Sequence, residues 1–133
     1  MSDSIDRLFT AVVAARRADL AGSRTAQLFR AGRAKMAKKV AEEAVEVAID
    51  AMHGQREAVV RESADLVYNL VVLWAASGVR PADVWDEMAR RERLLGIAEK
   101  LPKDAPKDAP KDVPNQPGRR MVVALEAARV RKR

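Results

Sequence analysis

Five acidic residues in two segments carry the chemistry this chain could do: Glu42, Glu43 and Glu46 in KKVAEEAVEVAI, and Glu62 and Asp65 in RESADLVYNLVVLW. On helices, Glu43 with Glu46 and Glu62 with Asp65 each stand one turn apart on a single face, because residues three and four apart are helical neighbours. Carboxylates set beside apolar stripes are costly to bury unless something positive meets them, and a hard divalent cation such as Mg²⁺ meets them well. Mg²⁺ seldom takes a complete protein cage. It keeps waters and bridges to substrate phosphates, so such a site suits a polyphosphate.

A plainer use of the same charges is a solvated ladder, with Lys38 paired to Glu42 and Lys39 to Glu43 at four-residue spacing. Two details favour the metal. Lysine precedes glutamate here, the weaker orientation for supporting a helix. Asp65 also stands at the mouth of an otherwise apolar run, where an unpaired acid is hard to justify.

The elements that must position these acids are all helical. The composition is 48% hydrophobic and 33% charged with only six glycines, which predicts an all-α fold without a sheet. Ile5, Leu8, Phe9, Val12 and Val13 recur at helical spacing, so a first amphipathic helix is predicted from about Ser4 to Asp19, ended by Ala21-Gly22. Ser23 or Thr25 can cap a short helix through Leu28 and Phe29, and Gly32 interrupts or kinks the chain. A long helix follows to Met52, closed by His53-Gly54. Another runs from about Arg56 to Ser77, closed by Gly78, and Pro81 suits the first turn of a last helix from about Ala82 to Ile97.

The third helix has more than one apolar face. Met36, Val40, Ala44, Val47 and Ala51 form one stripe, while Val45 and Ile49 lie nearly opposite. The helix around Leu66 to Ala76 is apolar almost all round. Both features predict an antiparallel helix bundle completed by homo-oligomerisation, as a homodimer or a higher assembly. The apolar run is too short for a membrane span, being interrupted by Asn69 and preceded by Asp65. If the acidic flanks of the two long helices face each other, one cleft holds four or five carboxylates. Cations would then be needed to neutralise their repulsion.

The segment TAQLFRAGRAKMAKKVAEEAVEVAIDAMHGQREAVVRESADLVYNLVVLWAASGVRPADVWDEMARR, from Thr25 to Arg91, resembles phosphoribosyl-ATP pyrophosphatase. That family is the histidine-pathway branch of the all-α nucleoside triphosphate pyrophosphatase superfamily related to MazG. The superfamily signature, Glu-x-x-Glu followed at a distance by Glu-x-x-Asp, falls on Glu43, Glu46, Glu62 and Asp65, and Glu42 supplies the extra acid of the EExxE form. The resemblance implies Mg²⁺ ligation by Glu43, Glu46, Glu62 and Asp65, with Glu42 and Glu43 in the catalytic centre and Glu42 helping to bind metal or activate water. Lys35, Lys38 and Lys39 fall in the family's lysine-rich approach, which implies phosphate contact. The implied reaction is hydrolysis of the α–β phosphoanhydride of phosphoribosyl-ATP to phosphoribosyl-AMP and pyrophosphate.

Two positions depart from the family pattern, which usually has Gly where this chain has Ala41, and His where it has Asn69. Asparagine hydrogen-bonds but does not exchange a proton near neutral pH. A housecleaning pyrophosphatase acting on another nucleoside triphosphate is therefore the alternative within the same chemistry. His53, the only histidine, is read as a helix end, and Trp74 and Trp85 as core or interface side chains. Arg90, Arg91 and Arg93 suit either phosphate contact or an exposed basic turn.

After Leu101 the sequence becomes PKDAPKDAPKDVPNQPG, whose recurrent prolines predict an extended, solvated linker. The resulting division is a helical domain at 1–101, a Pro-rich linker at 102–118 and a basic tail at 119–133. The tail, RRMVVALEAARVRKR, has six basic residues and one acidic, leaving 19 against 18 for residues 1–118. The net charge of +6 thus resides mainly in the tail. A reading of another class follows: a non-enzymatic helical dimer that binds nucleic acid through this tail. The absence of cysteine excludes disulfides and thiolate metal sites, and MSDSIDRLF lacks a secretory pattern, so a cytoplasmic protein is expected.

Overall fold

The computed structural model describes residues 3–103. These form five helices: α1 (Ser4–Ala18), α2 (Arg24–Ala31), α3 (Arg33–Met52), α4 (Arg56–Ala76) and α5 (Pro81–Leu95). No strand occurs among the described residues. The repeat from residue 104 onward and the basic tail at 119–133 lie outside them.

Local chemistry sets the boundaries. Asp3 caps α1 by accepting from the Ile5 N–H at 3.3 Å, satisfying one of the donors that a helix start leaves without an internal partner. The end of α1 is marked by Asp19 in the left-handed region (φ 45°), its N–H returning to the Ala15 carbonyl, so the stop precedes the predicted Ala21-Gly22 pair. Ser23 caps α2 by accepting from the Ala26 N–H at 3.2 Å. Thr25, the other predicted cap, instead hydrogen-bonds to the Tyr68 hydroxyl on α4 at 2.6 Å, joining α2 to the longest helix. Gly32 (φ 95°) separates α2 from α3, at a backbone conformation that glycine adopts without Cβ strain.

Helices α1 to α4 form one compact unit, in which α3 packs most extensively on α4, α1 on α4 and α2, and α2 on α3. Val12, Leu28, Met36, Val71 and Val72 make the buried centre, with Phe9, Phe29, Tyr68 and Trp74 packed around it. Trp74 is thus a core side chain. Arg16 lies over the Phe29 ring, 4.7 Å from its centroid, and Arg30 pairs with Asp19, both across the α1–α2 turn.

The predicted apolar stripe of α3 is only partly covered. Met36 is buried and Val40 and Val47 are half-buried, but Ala44 and Ala51 are exposed, as are Val45 at 57% and Ile49 at 49%. From Ala44 to Tyr68 no residue is buried, so the α3–α4 hairpin extends past the core as an arm. The buried residue on α3 nearest that arm is Glu43, at 7% exposure.

Helix α5 belongs to the second unit. Arg91 donates to Glu87 at 2.9 Å, Arg90 lies 3.4 Å from the same carboxylate, and the Arg91 bond foremost holds the Glu87 carboxyl below the usual range. These two arginines form a ladder along their own helix.

Candidate metal and phosphate site

The three-residue turn between α3 and α4 folds the chain back on itself, so residues equally far from Gly54 come level. Glu46 and Glu62 are each eight residues from Gly54, and Glu43 and Asp65 are each eleven. Carboxylates spaced three apart on both helices are therefore matched in reverse order. Glu43, Glu62 and Asp65 each offer an oxygen within 4.8 Å of the others. Glu46 joins through Glu62, whose carboxyl is pushed up to about 7. The first cause is its hydrogen-bonding contact with Glu46, followed by desolvation, the Glu46 charge, and contact with Glu43. The centre is graded in exposure: Glu43 is buried, Glu62 half-buried and Asp65 exposed.

This donor set fits a hard divalent cation. It supplies only oxygen, it is crowded enough for one acid to retain a proton near neutrality, and its exposed side leaves room for waters and substrate oxygens.

Glu42 points elsewhere. It meets Lys39 at 3.1 Å and Lys38 at 3.8 Å, and the Lys39 hydrogen bond foremost holds its carboxyl below the usual range. Lys39 also reaches Glu43 at 3.6 Å, with two acceptors raising its own ionisation range. Lys39 thus links the acidic cluster to a second feature, a recess of about 300 Å³ lined by Arg24, Gln27, Leu28, Ala31, Lys35 and Lys39. Lys35 lies in this recess, whereas Lys38 stands at the Glu42 edge. Arg24 is the addition that the sequence motifs do not contain. It is separated from the lysines by Gly32, and only the packing of α2 on α3 brings them together. One sequence signal points to it: a cation in the first turn of a helix opposes the helix dipole.

Asn69 is buried at 2% exposure, one turn beyond Asp65. Its Nδ2 donates to the Asp65 backbone carbonyl at 2.9 Å, while its Oδ1 is buried without a partner.

Residues 7–92 match the family described as Phosphoribosyl-ATP pyrophosphohydrolase. The chain belongs to that family. The match contains every acidic and basic residue of the site, and it takes in α1 from Arg7 onward, which the Thr25–Arg91 motif region does not cover. A Bradyrhizobium diazoefficiens protein named phosphoribosyl-ATP pyrophosphatase 2 is 63% identical over 133 residues, covering 100% of this chain and 99% of the relative. A Rhodopseudomonas palustris protein of the same name is 63% identical over 132 residues, covering 99% and 98%. The Azospirillum brasilense phosphoribosyl-ATP pyrophosphatase is 53% identical over 96 residues, 72% of this chain and 86% of its own length. Similarity to the first two phosphoribosyl-ATP pyrophosphatases therefore extends through the C-terminal segment that lies beyond the family match.

Proposed function

We propose that the chain hydrolyses phosphoribosyl-ATP to phosphoribosyl-AMP and pyrophosphate, the family's step in histidine biosynthesis, with Mg²⁺ held by Glu43, Glu46, Glu62 and Asp65. The observation that carries this reading is the convergence of Glu43, Glu62 and Asp65 within 4.8 Å in a chain of this family. Bound Mg²⁺ would supply polarisation of phosphoryl oxygens, shielding of the leaving pyrophosphate and a lowered pKa for the attacking water. The residues do the rest. Glu43 is fixed by burial and by Lys39, and Glu42, kept ionised by Lys39, accepts a hydrogen bond from water at the edge of the site. Lys35, Lys38 and Lys39 offset phosphate charge as it concentrates on the leaving group. Water adds across the α–β anhydride, and one P–O bond breaks as one forms.

Replacing Glu43 and Asp65 together by Ala tests the assignment. Loss of both Mg²⁺ binding and turnover is expected, and retention of both would contradict it.

The same reading includes a homodimer or higher homo-oligomer. Its support is the arm without a buried residue between Ala44 and Tyr68, together with exposed Val45, Ile49, Met52 and Val60. We further assign residues 1–101 to the catalytic domain, 102–118 to a linker and 119–133 to a basic tail, in a cytoplasmic protein. Among the described residues no helix is long and apolar enough to cross a membrane.

A further inference from the structure

We infer that the recess between α2 and α3 receives the pyrophosphate end of the nucleotide, and that Arg24 is a substrate-binding residue there beside Lys35 and Lys39. The inference rests on the hydrolysis reading above and deepens it. The recess is lined by three cations and no carboxylate. Its volume of about 300 Å³ is that of roughly ten waters, ample for a hydrated diphosphate. Among the described residues neither Arg24 nor Lys35 forms an ion pair.

Arg24 is also placed at a cost. It is the first residue of α2, where the helix dipole disfavours a cation, and its charge opposes that of Lys39. The repulsion between Arg24 and Lys39 is relieved when an anion enters, because the three cationic side chains lining the recess then share a negative charge.

Position selects which phosphates bind. Lys39 lines the recess and lies 3.6 Å from Glu43, so an anion held there adjoins the acidic cluster through one shared side chain. The scissile α–β anhydride belongs at the cluster; the α-phosphate stays on the nucleotide, and the phosphates beyond it, β and γ, are those that leave as pyrophosphate. The monophosphate on the second ribose is separated from them by a nucleoside. Arginine suits this role through its fixed fork of donors.

The test uses the full chain as wild type, Arg24→Gln, Arg24→Lys and Lys35→Gln. Calorimetric binding of inorganic pyrophosphate and of phosphoribosyl-AMP, each with Mg²⁺, is measured beside kcat and KM for phosphoribosyl-ATP. Arg24→Gln is expected to weaken pyrophosphate about tenfold and to raise KM, with phosphoribosyl-AMP affinity unchanged. Arg24→Lys should recover part of the loss, and Lys35→Gln should repeat it. The melting temperature of Arg24→Gln should equal or exceed wild type, since a cation leaves a helix start. Unchanged pyrophosphate affinity in Arg24→Gln, or a loss confined to phosphoribosyl-AMP, would overturn the inference. If wild type hydrolyses phosphoribosyl-ATP while Arg24 is silent in binding, the recess assignment alone fails. If pyrophosphate binding depends on Arg24 but phosphoribosyl-ATP is not hydrolysed, the recess stands and the assigned reaction fails.

Discussion

Glu46 on α3 and Glu62 on α4 meet across the helical hairpin, each eight residues from Gly54, and Glu46 is the foremost reason that the Glu62 carboxyl is pushed up to about 7. Two carboxylates in contact cannot both ionise freely, so the metal-free protein keeps a proton where the metal-bound protein would hold a cation.

A stability profile follows from this pair. With the folded value near 7 and the ordinary value at 4.5, the folded state binds more protons than the unfolded state between those limits. Stability of the metal-free chain should therefore fall as pH rises from about 4.5 to about 7. Mg²⁺ competes with that proton, so its stabilising effect should be larger at pH 8 than at pH 5.5. Thermal melts at both pH values, with chelator and with Mg²⁺, check this. Glu62→Gln should flatten the metal-free slope and remove most of the Mg²⁺ effect, and an unchanged slope would show that Glu62 is not its source.

Asn69 offers a second test of the crowded acids. The side chain is buried beside the Asp65 turn, so Asn69→Asp adds a carboxyl of nearly the same shape where no cation is paired with it. A destabilisation of about 3 kcal/mol is expected at pH 8, shrinking at pH 5 as the new acid protonates. Asn69→Leu removes the orphaned Oδ1 and should cost less, about 1 kcal/mol. Denaturant unfolding of both variants at the two pH values distinguishes buried charge from altered shape. Equal losses in Asp and Leu variants at both pH values would contradict this explanation.

The arm of the α3–α4 hairpin makes the assembly testable. Val45 and Ile49 expose 57% and 49% of their surface on the face of α3 opposite its apolar stripe. Sedimentation should find the wild type as a dimer or larger species, and Val45→Lys with Ile49→Lys should shift it toward monomer. A monomeric wild type would leave those side chains without the proposed cover.

Much of the site is legible in the sequence because a helix repeats every 3.6 residues. Spacing alone puts Glu43 with Glu46, and Glu62 with Asp65, on one face of each helix, and Gly54 marks the turn between them. Other features depend on packing between elements. Periodicity centres the apolar stripe of α3 near Ala44, yet Ala44 is exposed and Glu43 is buried, because the face turned to α4 carries the acids. Thr25 matches a cap by type but spends its hydroxyl on Tyr68, forty-three residues away. Arg24 joins the lysines only through the turn at Gly32, which no pattern on a single helix contains.

The most direct measurement is product analysis of the purified full chain with Mg²⁺, offering phosphoribosyl-ATP beside a panel of ribo- and deoxyribonucleoside triphosphates. Selective release of pyrophosphate from phosphoribosyl-ATP, with phosphoribosyl-AMP as the nucleotide product, is the expected result. Preference for another triphosphate, or absence of turnover with Mg²⁺, would contradict the proposed reaction.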